Sequence, residues 1–192
     1  MISHDLFQHI RLIVGMIMSL ALARLLNGSA RFIQHPTKVK VYPVHIGWVF
    51  TLLLFLVHFW WWEFRLEDIQ NWTFETYLLI VSYVISFFLL STLLFPDDMS
   101  EYAGFEDYFK SRRKWFFAIL AVTFVLDTFD GLVKGSSYIA HLGLEFPWRN
   151  VVSVVLCVAA MFIRSEAFQI GFVAVTLLYE LSWIFRLYHT VQ

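Results

Sequence analysis

The stretch WFFAILAVTFVLDTFDGLVKG, Trp115 to Gly135, decides the fold. Its first eleven residues are apolar all round, with Thr123 the sole hydroxyl. A surface helix of a soluble protein carries polar residues along one face at a period near 3.6. Here the polar groups wait until the last turns, where Asp127, Asp130 and Lys134 arrive within eight positions. That is the pattern of a helix passing through lipid and ending in a wetter layer.

The remainder of the chain repeats the pattern. Of its 192 residues, 59% are hydrophobic and 15% charged. Soluble domains carry about 45–50% apolar and about 25% charged residues. A chain of this size cannot hide so much apolar surface from water. A spanning helix needs roughly 20 mostly apolar residues, and six segments qualify: about 6–26, 44–64, 74–95, 115–133, 148–163 and 167–187. In lipid, backbone groups must be satisfied within the segment, so these runs are helices. The fold class is all-α, a polytopic membrane helix bundle of about six transmembrane helices in a single domain, 1–192. The lipid bilayer is its first partner. A net charge of −1 supplies no bulk field toward nucleic acid. The single Cys157 excludes a disulfide framework and a paired-cysteine metal site.

The first segment reads as a true span, because its leader balances Arg11 against Asp5. Gly15, Ser19 and Ala23 recur every four residues along it, which suits close approach of another helix. The short link Arg164–Glu166 predicts that the fifth and sixth spans form an antiparallel hairpin. In the third link, Tyr102, Phe105 and Phe109 follow a 3–4 spacing, and acids precede bases. This predicts an interfacial helix over about 98–112.

Loop charge sets orientation. The first, third and fifth links carry eight basic residues: Arg31, Lys38, Lys40, Lys110, Arg112, Arg113, Lys114 and Arg164. The opposite side carries Arg65, Lys134 and Arg149. The basic side is expected to face the cytoplasm, which puts both termini in the periplasm.

Several segments taken together, LALARLLNGSARFI, VHIGWVFTLLLFLVHFWWWEF, LLFPDD and YFKSRRKWFFAIL, resemble a recurrent family of uncharacterised bacterial integral membrane proteins. The resemblance covers roughly the first 120 residues. It implies a multi-pass protein of the bacterial inner membrane. It implies no catalytic residue, since the shared pattern consists of small, aromatic and basic positions.

With that orientation, nearly every ionisable residue near a span falls in the outer half. His4, Asp5, His9 and Arg11 open the first span, and His58, Glu63 and Arg65 close the second. Asp127, Asp130 and Lys134 close the fourth; Glu180, Arg186 and His189 close the sixth. Thr123, Asp127, Asp130 and Lys134 form one helical stripe. Such stripes on four spans predict a shared polar pocket. Glu180 lies deepest, and a charge at that depth costs at least ~2.5–3.5 kcal/mol. It is expected to face the bundle interior with an Arg, Lys or His within hydrogen-bond reach, Arg11 or Arg186 if the contact is a structural ion pair. Asp130 is expected to pair with Lys134 in the solvated interface, and Asp127 to point into the pocket toward the sixth span and meet a cation or proton. Trp60, Trp61 and Trp62 read as an interfacial aromatic belt.

The ion- or proton-binding candidates are therefore Asp127, Glu180, His58, Asp130 and His9, with Arg11, Arg186 and Lys134 as charge partners. The reading is an ion or proton channel or transporter, oligomeric because a single chain has few polar groups in its inner half. One alternative is a structural or accessory subunit of a larger membrane complex. Another is a metal-dependent intramembrane enzyme, with His58, Asp127, Asp130 and Glu180 around a divalent ion. No short ligand motif supports it, and no catalytic residue is assigned. Haem is not expected: His45 and His58 share a span, but His45 has no histidine partner at its depth. No cofactor is predicted.

Overall fold

The computed structural model describes residues 2–35, 40–69 and 72–188, without the side chains of 2–6, 64, 65, 68, 187 and 188. Lys38 and His189 lie outside the described residues, and His4, Asp5 and Arg65 outside the described side chains. Among the described residues the chain forms seven α-helices: α1 (Ile2–Gln34), α2 (Pro43–Trp62), α3 (Phe74–Leu94), α4 (Phe105–Val133), α5 (Ser136–Leu142), α6 (Glu145–Phe162) and α7 (Glu166–Tyr188). A 3-10 turn, Glu63–Asp68, follows α2. Six of the helices, all but α5, are long and apolar enough to cross a membrane. The protein is a multi-pass membrane helix bundle.

Local signals account for the helix starts. Pro43 begins α2, where its missing N–H leaves no donor unsatisfied. Thr73 caps α3 by accepting from the Thr76 amide at 3.3 Å. Glu106 and Asp107 stand in the first turn of α4, at the positive end of the helix dipole. α5 is bracketed by Gly135 and Gly143, whose φ values of 103° and 69° suit residues without a Cβ.

The expected interfacial helix over 98–112 is not a separate element. The chain turns through residues 98–104 and then runs as one helix from Phe105 to Val133. The reason is what the aromatic spacing touches. Phe105 and Phe109 are buried and face the bundle, with the Phe105 ring stacked on His45 at 4.6 Å. A face that packs on protein has no need to lie along the lipid surface.

α4 packs against both α3 and α6, α3 against α1, and α2 against α7. The three-residue link between α6 and α7 is as tight as expected, and Gln169 donates across it to the carbonyls of Ala160 and Ile163 at 3.2 and 2.9 Å. The two helices nevertheless touch only sparsely. α6 follows α4 while α7 follows α2, so they open away from their link like a wedge.

The end that carries the basic links is closed. Arg24 donates to the Phe95 carbonyl at 3.1 Å and pairs with Asp97 at 2.8 Å. Tyr42 donates to Glu166 at 2.9 Å, and Lys110 joins the same carboxylate at 2.5 Å. Next to this clamp sits a block of aromatic rings. Trp48 packs on Phe116, Phe117 and Phe172 with centroids 5.3, 5.5 and 5.3 Å away. Gly15, from the small-residue stripe of α1, is used inside the bundle: a Cβ there would stand 3.1 Å from the Trp60 ring. Ser19 and Ala23 are exposed.

Candidate functional site

Beyond the aromatic block the bundle encloses a cavity of about 370 Å³ lined by residues of α2 to α7. Phe172 and Leu156 line it, as do Phe55, Phe87 and Phe124. Its charged groups fall into four hydrogen-bonded sets.

The first centres on Asp127. Tyr83 of α3 donates to its Oδ1 at 2.8 Å, and Asn150 of α6 to its Oδ2 at 2.8 Å. Arg149 of α6 pairs with the same Oδ2. The Arg149 guanidinium also lies over the rings of Phe146 and Trp183, at 5.2 and 5.0 Å. Asp127 thus reaches α3 and α6 rather than the last span, and it has a full set of partners.

The second set contains the expected pair, with Lys134 2.6 Å from Asp130. The expectation of a solvated pair is corrected. The Lys134 and Asp130 side chains are only 2% and 6% exposed, because α5 and the end of α2 cover them. Tyr138 of α5 lies beside Lys134, its ring centroid 5.6 Å from the ammonium. Glu63, just past α2, takes a second bond from Lys134 at 3.0 Å. Two carboxylates therefore share one ammonium. Glu63 Oε2 and Asp130 Oδ1 are buried with no hydrogen-bond partner among the described residues. Burial pushes the Glu63 carboxyl up to about 8, although Lys134 draws it down. Burial works against the Lys134 charge, yet Asp130 and Glu63 hold the ammonium above its ordinary range.

The third set holds Glu180, which is buried as expected. Of the expected partner types it has a histidine, His58 of α2, whose Nδ1 meets Glu180 Oε1, rather than Arg11 or Arg186. The Trp62 indole donates to His58 Nε2. Indole N–H is a donor only, so Nε2 accepts and Nδ1 carries the proton. These contacts fit the Nδ1–H tautomer of His58, with Nδ1 donating to Glu180.

The fourth set lies at the rim. Arg186 pairs with Glu145 at 2.6 Å, and Tyr179 donates to the same carboxylate at 2.7 Å. Arg11 lines a second, small cavity beside Glu63, Phe7 and Trp60. His9 is exposed and does not line the main cavity, because α1 turns Phe7, Ile10 and Val14 inward.

The structure thus brings together His58, Asp127, Asp130, Lys134 and Glu180 around one space, and leaves His9 and Arg11 outside it. The four donors considered for a metal ion are divided among three of these sets. Sequence reasoning placed Glu63 and Arg149 on the outer side but did not count them among the site residues. Arg149 had a readable signal: Phe146, Arg149, Asn150 and Ser153 share one face of the fifth span at helical spacing. His45 makes a buried contact from Nε2 to the Leu94 carbonyl, 2.7 Å, at the closed end. Comparison with protein-family models, with curated proteins and with solved structures gives no match.

Proposed function

We propose that this multi-pass protein is a carrier of the bacterial inner membrane that binds a proton and a small solute in the cavity. The observation that carries the reading is the Glu63–Lys134–Asp130 set. Two buried carboxylates beside one ammonium leave one negative charge in excess, together with two unpartnered oxygens. A proton supplies both the charge and the missing hydrogen bond, and it belongs to the pair rather than to either residue alone. Asp130 lies in the last turn of the spanning helix α4, and ionisable groups within spans mark proton and substrate paths. The aromatic block around Trp48 favours a carrier over an open pore. The loop-charge rule puts the cavity in the outer half, with both termini periplasmic.

Two measurements test this. The ordinary Glu63 value is 4.5 and the folded value about 8. Between them the folded state holds a proton that the unfolded state has released, so stability falls as pH rises through that window. The melting temperature in detergent is expected to drop from about pH 5 to about pH 9, and Glu63→Gln to flatten the profile. Proteoliposomes are expected to take up protons under an imposed gradient, and Glu63→Gln to stop the uptake. A flat wild-type profile with proton-tight liposomes sinks the carrier and favours the accessory-subunit reading. For orientation, a membrane-impermeant maleimide added to intact cells is expected to label Ser137→Cys and miss Glu101→Cys; the reverse pattern inverts the topology.

A further inference from the structure

We propose that the cavity takes an amphipathic organic ammonium, which enters from the bilayer through the gap between α6 and α7. The inference rests on the carrier reading for treating the cavity as a working site. It adds the chemistry of the ligand and its route.

The route follows from the wedge. α6 and α7 separate beyond their link, and residues on their facing edges belong both to the cavity lining and to the outer surface of the bundle. Trp148 and Val152 of α6 are 66% and 50% exposed, and Val175 of α7 is 61% exposed. The mouth is therefore apolar and faces acyl chains rather than water. A volume of about 370 Å³ lies within the usual range of small-molecule sites, roughly 300–1,000 Å³. Predominantly aromatic and aliphatic walls with a few convergent polar groups are the usual make-up of such a site.

The sign of the ligand follows from the charges. Asp127 is matched by Arg149, and Glu145 by Arg186. Lys134 matches one of Glu63 and Asp130, and a proton can neutralise the other. Glu180 remains, because the Nδ1–H tautomer of His58 donates to it without cancelling its charge. An anionic head group would meet surplus negative charge, while an ammonium would neutralise it. Trp62 and Tyr179 line the same space and can present aromatic surface to a cation, while the Tyr138 and Trp183 rings already serve Lys134 and Arg149 in that way. A buried carboxylate, aromatic walls and a lipid-facing mouth fit a cationic head with an alkyl tail.

The probe is radiolabelled dodecyltrimethylammonium, measured by equilibrium dialysis against the full chain in phosphatidylcholine nanodiscs, with empty nanodiscs subtracted. The expected result is one saturable site per chain, displaced by unlabelled probe and not by dodecanoate or dodecanol. Val175→Trp, which narrows the mouth from a lipid-facing position, is expected to lower the affinity at least ten-fold. Glu180→Gln keeps an acceptor for His58 and is expected to weaken binding of the cation by a similar factor. Equal competition by dodecanoate or dodecanol overturns the inference, as does unchanged affinity in both variants. Because binding is read without flux, the two proposals fail separately. Binding with no proton uptake sinks only the carrier, and proton uptake with no bound probe sinks only the ammonium.

Discussion

Arg149→Met is expected to cost about 3–5 kcal/mol of stability, the usual penalty for leaving one member of a buried ion pair alone. The Arg149 and Asp127 side chains are 12% and 19% exposed, and the pair joins α6 to α4. Without the guanidinium, Asp127 keeps Tyr83 and Asn150 as neutral donors but holds its charge in a space with little water. Asp127→Asn in the wild-type background is expected to be costly too, since it strands Arg149 among aromatic rings. The double variant Asp127→Asn, Arg149→Met removes both charges and is expected to regain most of the loss. Unfolding in a detergent titration reads all three, and the coupling between them is the test. If Arg149→Met stays within about 1 kcal/mol of wild type, the pair is no more than a surface bridge.

Gly28→Ala is expected to have the second large effect, and for a steric reason. A Cβ at Gly28 would lie 2.2–2.4 Å from three ring atoms of Phe95. Phe95 cannot retreat, since it is 3% exposed and lies beside Phe32, His45 and Phe105. Overpacking of this kind costs about 1–3 kcal/mol, sometimes more. Between membrane helices the packing itself is the main driving force, so lost fit is not offset by greater burial from water. Gly47→Ala meets the methyl ends of Val173, the nearest at 2.8 Å, and is expected to be milder. Gly171→Ala meets nothing within 4 Å and is expected to be neutral or slightly stabilising, through helix propensity. Melting temperatures falling in any other order would show that α1 does not dock on the end of α3 in this register.

The legible part of the fold was the part written in local spacing. Six apolar runs of membrane length gave six helices, and the i,i+4 spacing of Asp130 and Lys134 gave a real pair. The depth of Glu180 correctly required an interior position with a partner. What stayed hidden depends on how distant helices turn toward each other. Glu63 joins Lys134 from 71 residues away, and no periodicity along one helix records that register. The pair looked solvated because Lys134 ends its helix, but burial came from α5, too short to stand out in an apolar chain. His9 was legible and misread: Phe7, Ile10 and Val14 repeat at helical spacing and define an inward face that excludes it.

The packing of α7 on α2 also has a consequence for biosynthesis. The His58–Glu180 contact spans 122 residues of chain. At about 5–20 residues per second, roughly 6–25 s separate the translation of its two members. During that interval α2 is in the bilayer with its most heavily packed neighbour not yet made, and His58 and Trp62 have no carboxylate to complete their relay. α1, α3, α4 and α6 can assemble in chain order in the meantime. α7, made after the six helices described before it, is therefore the one that completes the cavity, and a chain truncated before it contains every cation of the buried sets without Glu180.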